Sequence, residues 1–126
     1  MTTGKIIALV SLLVVGGGIA WVVHAAQREE DARAFTMARI DYTGKVSVER
    51  VHNETIPMLI KLGRRKAGDK PTDEDMRIYR EARDSERAYI QACKRCASAA
   101  ECEHDRQTIA SGRVSITDSD TYNPCE

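Results

Sequence analysis

Large aromatic side chains and prolines are scarce in this 126-residue chain, which has one Trp, one Phe, four Tyr and three Pro. A chain that is also 30% charged buries little apolar surface per residue, which excludes a large hydrophobic core. Small domains of this composition usually need disulfides or another covalent or metal staple. The composition therefore predicts one small domain that is reinforced by such staples.

An excess of charge of one sign is also missing, because 19 Lys and Arg balance 19 Asp and Glu. A nucleic-acid-binding protein normally concentrates a basic excess on one face, so we expect no nucleic-acid partner. The sequence contains no phosphate-binding glycine loop, no G-x-S-x-G and no carboxylate pair that stands above the charged background. We therefore expect neither an enzyme nor a cofactor, and we assign no catalytic residue.

One long apolar run is present at residues 6–23, where Ser11 and three glycines are the only interruptions. Eighteen helical residues span about 27 Å, close to the thickness of the hydrocarbon core of a bilayer. After a short N-terminal segment at 1–5, the sequence thus predicts a single transmembrane helix at 6–26, with membrane lipid as a partner. Gly16 and Ala20 form a small-x-x-x-small pair that would let another helix approach.

Lys5 on the short N-terminal side predicts a signal-anchor whose N-terminus is cytoplasmic, with the C-terminal domain periplasmic or extracellular. A cleaved signal peptide is the alternative, because Val23-His24-Ala25 places small residues suitably for cleavage after Ala25. The sequence leaves this alternative open. Either reading puts the remaining residues in a compartment that favours disulfides.

The rest of the chain predicts a mainly α protein in which a helical stalk at 27–44 leads to a small domain at 45–126. Tyr42-Thr43-Gly44 predicts the end of the stalk, and Thr55-Ile56-Pro57 predicts a new helix start. Met58, Leu59 and Leu62 are expected to supply core. The linker at 67–71 separates this stretch from the next helix.

Thr72, followed by three acidic residues, predicts the N-terminus of a helix that runs to about Ala99. This helix is expected to pack on the preceding segments as a hairpin or small bundle. From about residue 103 the composition predicts an irregular C-terminal tail.

Four cysteines, Cys93, Cys96, Cys102 and Cys125, fall in the last third of the chain. An even number in an oxidising compartment predicts two disulfides, for which three connectivities exist. We favour Cys96 with Cys102 across a helix bend, and Cys93 with Cys125. The alternative is a zinc site formed by Cys93, Cys96, Cys102 and His104, or a redox centre at the C-x-x-C pair.

These features predict a membrane-anchored structural or interaction protein, an accessory subunit that meets protein partners through its transmembrane helix and its helical ectodomain. The layout of an N-terminal anchor, a charged helical ectodomain and Cys125 near the C-terminus also resembles that of phage inner-membrane spanins. That resemblance implies a role in lysis. A small zinc-binding or redox module is the further alternative.

Overall fold

The computed structural model describes residues 2–115, 117 and 122–126, with side-chain surroundings described from Gly17 onward. Three helices follow one another along the chain: α1 (Thr2–Lys61), α2 (Asp73–Lys94) and α3 (Ala99–Ala110). No strand occurs among these residues, and two disulfides are present. The predicted mainly helical, disulfide-stapled fold is therefore confirmed.

The predicted membrane span is not supported. Of the predicted span at 6–26, side-chain surroundings are described only for residues 17–26. Within the described part of the chain, no helix is both long and apolar enough to cross a membrane. The sequence predicted a single-pass membrane protein with a cytoplasmic N-terminus, and this localisation is therefore wrong. Gly16 of the predicted small-residue pair lies outside the residues whose surroundings are described.

Helix α1 is 60 residues long and passes through both places where the sequence predicted a helix boundary. Tyr42 and Thr43 are buried, and the Thr43 hydroxyl donates to the carbonyl oxygen of Arg39 at 2.8 Å. The burial of Tyr42 and Thr43 stabilises the helix by more than the low helix propensity of Gly44 destabilises it. Residues 42–44 therefore do not end the helix, and Pro57 lies inside it rather than at a start.

The end of α1 is set by Gly63, which has a φ of 73°. The amide of Gly63 donates to the carbonyl oxygen of Ile60, and that of Arg64 donates to the carbonyl oxygen of Leu59, both at 3.0 Å. This is a Schellman motif, which needs a residue that tolerates positive φ. The predicted linker at 67–71 lies in the connection that follows.

Helix α2 begins where the sequence predicted. The Thr72 hydroxyl accepts from the Asp75 amide at 3.2 Å, and the Asp75 carboxylate accepts from the Thr72 amide at 2.9 Å, which forms a capping box. The helix ends at Lys94 rather than near Ala99, because a turn intervenes before α3.

Helix α3 includes residues 103–110, the first part of the segment that the sequence assigned to an irregular tail. The Ser98 hydroxyl caps it by accepting from the Glu101 amide at 3.2 Å. Cys102 and Ile109 on this helix are almost fully buried, so packing supports it. The predicted tail is consequently helical as far as Ala110, and its residues 116 and 118–121 lie outside the described part of the chain.

The core is built around three aromatic rings. The ring centroid of Tyr89 lies 5.7 Å from that of Phe35 and 5.4 Å from that of Tyr42, and all three side chains are buried. Offset or tilted aromatic pairs of this kind add stability beyond their buried area. By contrast, Met58 and Leu62, which the sequence assigned to the core, are 61% and 64% exposed.

Candidate functional site

The four cysteines lie where α2 meets α3. They form the bonds Cys93–Cys102 and Cys96–Cys125, with Cα atoms 5.9 and 5.1 Å apart. The predicted pairing is therefore wrong, although all four cysteines are in disulfides as expected. The turn between α2 and α3 reverses the chain, so Cys102 returns beside Cys93, which an unbroken helix would have kept apart.

The second disulfide fastens the C-terminal segment to the turn between α2 and α3, and hydrogen bonds join the same segment to α1. The Arg28 side chain donates from Nε to the carbonyl oxygen of Cys125 at 2.9 Å. The Asn123 amide donates to the carbonyl oxygen of Ala32 at 2.9 Å and to the Thr36 hydroxyl at 3.0 Å. These contacts join two parts of the chain that lie far apart in sequence.

The alternative zinc site at Cys93, Cys96, Cys102 and His104 is not formed. Three of these residues have their sulfur atoms in disulfide bonds, so they cannot act as thiolate ligands. His104 is exposed on α3. Among the residues that the structure describes, no group of three His, Cys, Asp or Glu side chains converges to hold a metal, and no cysteine is free for redox chemistry.

Arg39, Tyr89 and Asp105 form a buried polar cluster with one residue from each helix. Arg39 donates from Nε and Nη2 to the two carboxylate oxygens of Asp105 at 3.0 and 2.9 Å. The Tyr89 hydroxyl donates to the same carboxylate, and burial together with this hydrogen bond raises the pKa of Tyr89. Burial is the largest single influence on Arg39 and would lower its pKa, but the hydrogen bond to Asp105, the charge of Asp105 and the contact with Tyr89 together raise that pKa. The three side chains satisfy one another and hold the helices in register.

A second cluster surrounds Asp75, which is 2% exposed at the start of α2. Its carboxylate contacts the side chains of Arg65 and His52 and accepts from the Thr72 amide. The hydrogen bond from Arg65, followed by the one from the Thr72 amide, holds the pKa of Asp75 well below its ordinary value of 3.8. This ionised carboxylate ties α1 and the linker to α2.

The strongest candidate for a functional surface is the N-terminal part of α1. Residues 17–30, which we call the arm, are all exposed. The large apolar side chains of the arm are exposed by 60% at Ile19, 71% at Trp21, 58% at Val22 and 62% at Val23. Exposed apolar side chains grouped in this way mark interaction sites in folded proteins.

The arm continues without a break into the packed body. The first residue of α1 that is buried in the core is Phe35, among the residues whose side chains are described. The sequence assigned most of the arm to a transmembrane helix at 6–26, which is not supported. It missed a second set of exposed apolar residues farther along α1, because predicted boundaries at Gly44 and Pro57 interrupted the helical spacing.

Comparison of the chain with known protein families, with curated proteins and with solved structures found no match. The layout that resembles a spanin required a membrane anchor, which is not supported. The resemblance therefore carries no argument about function.

Proposed function

We propose that this protein is a structural or interaction protein, an accessory subunit of a larger assembly, and that its arm binds a protein partner. The observation that carries this proposal is the full exposure of residues 17–30 with four large apolar side chains among them. Trp is among the residues most enriched at the energetic centres of protein interfaces. Trp21 is the only Trp in the chain.

The spacing of the apolar residues favours a particular type of partner surface. Gly18, Trp21, Val22 and Ala25 stand at positions i, i+3, i+4 and i+7 of one helix. This is the pattern by which an amphipathic helix docks in a hydrophobic groove of another protein. We therefore propose that the partner offers an apolar groove about four helical turns long or shorter.

The two disulfides support a location outside the reducing cytosol, since such bonds persist in oxidising compartments. In each of the buried clusters, at Asp105 and at Asp75, the polar groups form hydrogen bonds within the cluster. These groups are therefore engaged in structural contacts, which favours binding over catalysis as the function. In this proposal the packed parts of the three helices hold the arm in a fixed position.

Photocrosslinking tests this proposal in the cells that make the protein. A benzophenone amino acid placed at Val22 is expected to give one discrete protein adduct. The same amino acid at Arg80, which is exposed on α2, serves as the matched control and is expected to give none. Lack of a protein adduct at Val22, or an adduct formed with lipid alone, would contradict the proposal.

The identified partner then allows a direct binding measurement with the full-length protein. Fluorescence of Trp21 is expected to shift to the blue as the indole leaves water. Replacing Val22 with Ala removes an apolar contact worth about 1–2 kcal/mol, so Kd should rise about 5- to 30-fold. Circular dichroism of the variant checks that the helices are retained. An unchanged Kd with retained helices would argue against the arm as the binding site.

A further inference from the structure

A second row of exposed apolar side chains runs along α1 on the side that faces away from α2 and α3. We call it the outer stripe, and it consists of Met37, Ile40, Gly44, Val48, Val51, Thr55, Met58 and Leu62. Six of these side chains are large and apolar, and their exposed fractions run from 39% at Ile40 to 68% at Met37. We propose that the outer stripe binds the outer stripe of a second copy of this chain, with the two helices antiparallel.

The spacing of the outer stripe is that of a helix seam. Its members follow one another at intervals of three or four residues from Met37 to Leu62. At 100° per residue they fall within a sector about 80° wide. Phe35, Arg39 and Tyr42, which are buried in the core, lie on the opposite side of the same helix. Helix α1 therefore has two apolar faces, of which only one has a partner among the residues that the structure describes.

Gly44 is an independent sign that another helix approaches this face. A glycine inside a helix is destabilising relative to alanine. A Cβ atom added at Gly44 would meet nothing within 4 Å, so packing inside the chain does not require glycine there. Close approach of a second backbone is a common reason for glycine in a regular element. The outer stripe places Gly44 where such an approach would occur.

The spacing also indicates that the second helix is a copy of the first. A two-fold symmetric interface pairs residue i with residue j and, in the same contact, j with i. Met37 and Leu62, Gly44 and Thr55, and Val48 and Val51 all share a midpoint between residues 49 and 50. An antiparallel pair centred there brings apolar side chains against apolar side chains along its length and places the small Gly44 opposite Thr55.

The size of the outer stripe fits a modest dimer. An aliphatic side chain offers about 90 Å² of apolar surface, so six that are somewhat over half exposed contribute about 300 Å² per chain. Two copies together with polar flanks bury about 1,000 Å², the lower bound for a biological interface. The formal net charge of zero means that long-range repulsion does not oppose the association of two copies. We therefore expect a dimer with Kd in the micromolar range.

Sedimentation velocity of the full-length protein across a concentration series tests this interface. The protein is expected to shift from monomer to dimer, without larger species, and Val51→Glu should raise Kd at least 100-fold because both copies carry the charge at the seam. Val23→Glu is the matched control, since Val23 and Val51 are each 62% exposed. It alters the arm and is expected to leave the dimer intact.

Several results would overturn the proposal. They are a monomer at every concentration, an open-ended series of oligomers, a dimer that survives Val51→Glu, or a dimer lost equally with Val23→Glu. The last result would place self-association in the arm, so failure here is distinguishable from failure of the proposed function.

Two further measurements test the detail of the pairing. A photocrosslinker at Met37 is expected to react near Leu62 of the second copy, whereas reaction near Met37 of that copy would refute the antiparallel arrangement. Gly44→Ala is expected to raise the unfolding temperature of the dilute monomer while weakening the dimer about tenfold or more. A purely structural role for Gly44 would instead lower the unfolding temperature.

Discussion

Removing the charge of Asp105 is expected to destabilise the protein severely. The side chain of Arg39 is only 3% exposed and makes a two-pronged contact with this carboxylate. Asp105→Asn keeps nearly the same size but leaves the guanidinium buried without its counter-charge. Breaking a buried pair in this way is worth about 3–5 kcal/mol. Because a domain of this size has a net stability of about 5–15 kcal/mol, the variant should lose at least about a fifth of its stability and at most nearly all of it.

Replacing the whole cluster should be far less harmful. The variant with Arg39→Met, Tyr89→Phe and Asp105→Leu removes all three polar side chains of the cluster together. None of these three groups is then left buried without the other two, so we expect it to recover most of the lost stability. Urea unfolding followed by circular dichroism measures the free energy of unfolding for the three proteins.

Glu29→Gln provides the control for the loss of an ion pair alone. Glu29 and Arg33 form an i,i+4 pair whose side chains are about three-quarters exposed. Exposed pairs contribute about 0–1 kcal/mol, so this variant should stay close to the wild type. Two results would contradict this prediction: a free energy of unfolding for Asp105→Asn no lower than that for Glu29→Gln, or a triple variant as unstable as Asp105→Asn.

Three more predictions concern the staples and the start of α2. Replacing both Cys96 and Cys125 with Ser opens a bridge between residues 29 apart and should lower the free energy of unfolding by about 3–4 kcal/mol in urea, whereas an unchanged midpoint would contradict this. The pKa of Asp75 is lower in the folded protein than its ordinary value of 3.8. The stability that the Asp75 carboxylate contributes is therefore complete above about pH 5 and is lost as the pH falls below 3.8 and through the lower pKa of the folded state. Asp75→Asn should therefore flatten the acid limb of a plot of Tm against pH, and parallel limbs would refute the assignment. Thr72→Ala removes the cap and should lower stability by about 1 kcal/mol, while Thr108→Ala inside α3 should not, as thermal unfolding of both variants would reveal.

The features that the sequence predicted correctly have local causes. Thr72 and the three acids after it suffice to start α2, because the cap and the favourable charges lie within one turn. The count and placement of the cysteines likewise predict disulfides without knowledge of the fold. The helical class follows from propensity summed over long stretches without breakers.

The features that the sequence missed depend on contacts between distant residues. Helix α1 continues through Gly44 because Tyr42 and Thr43 are buried by other helices, and no local pattern reports that burial. The pairing of the cysteines depends on the turn between α2 and α3. Arg39 and Asp105 are 66 residues apart, so their ion pair has no local signature.

Of the two candidate surfaces, the arm and the outer stripe, only the arm could be recognised as apolar from the sequence. The apolarity of the arm is plain in the sequence, but apolar side chains on a helix can bind either lipid or a groove in another protein, and composition alone does not distinguish the two. The outer stripe has a regular spacing that a continuous helix would have revealed. Interrupting that helix at Gly44 and Pro57 assigned Met58 and Leu62 to a core that they do not join.

The two disulfides interlock along the chain, since Cys96 lies inside the ring closed by Cys93 and Cys102, and Cys102 lies inside the ring closed by Cys96 and Cys125. The smaller ring joins residues nine apart and loses less chain entropy on closure than the ring that joins residues 29 apart. Oxidative refolding should accordingly accumulate a one-bridge species linked at Cys93 and Cys102. The C-terminal segment would then settle against α1 only in the closing step of maturation.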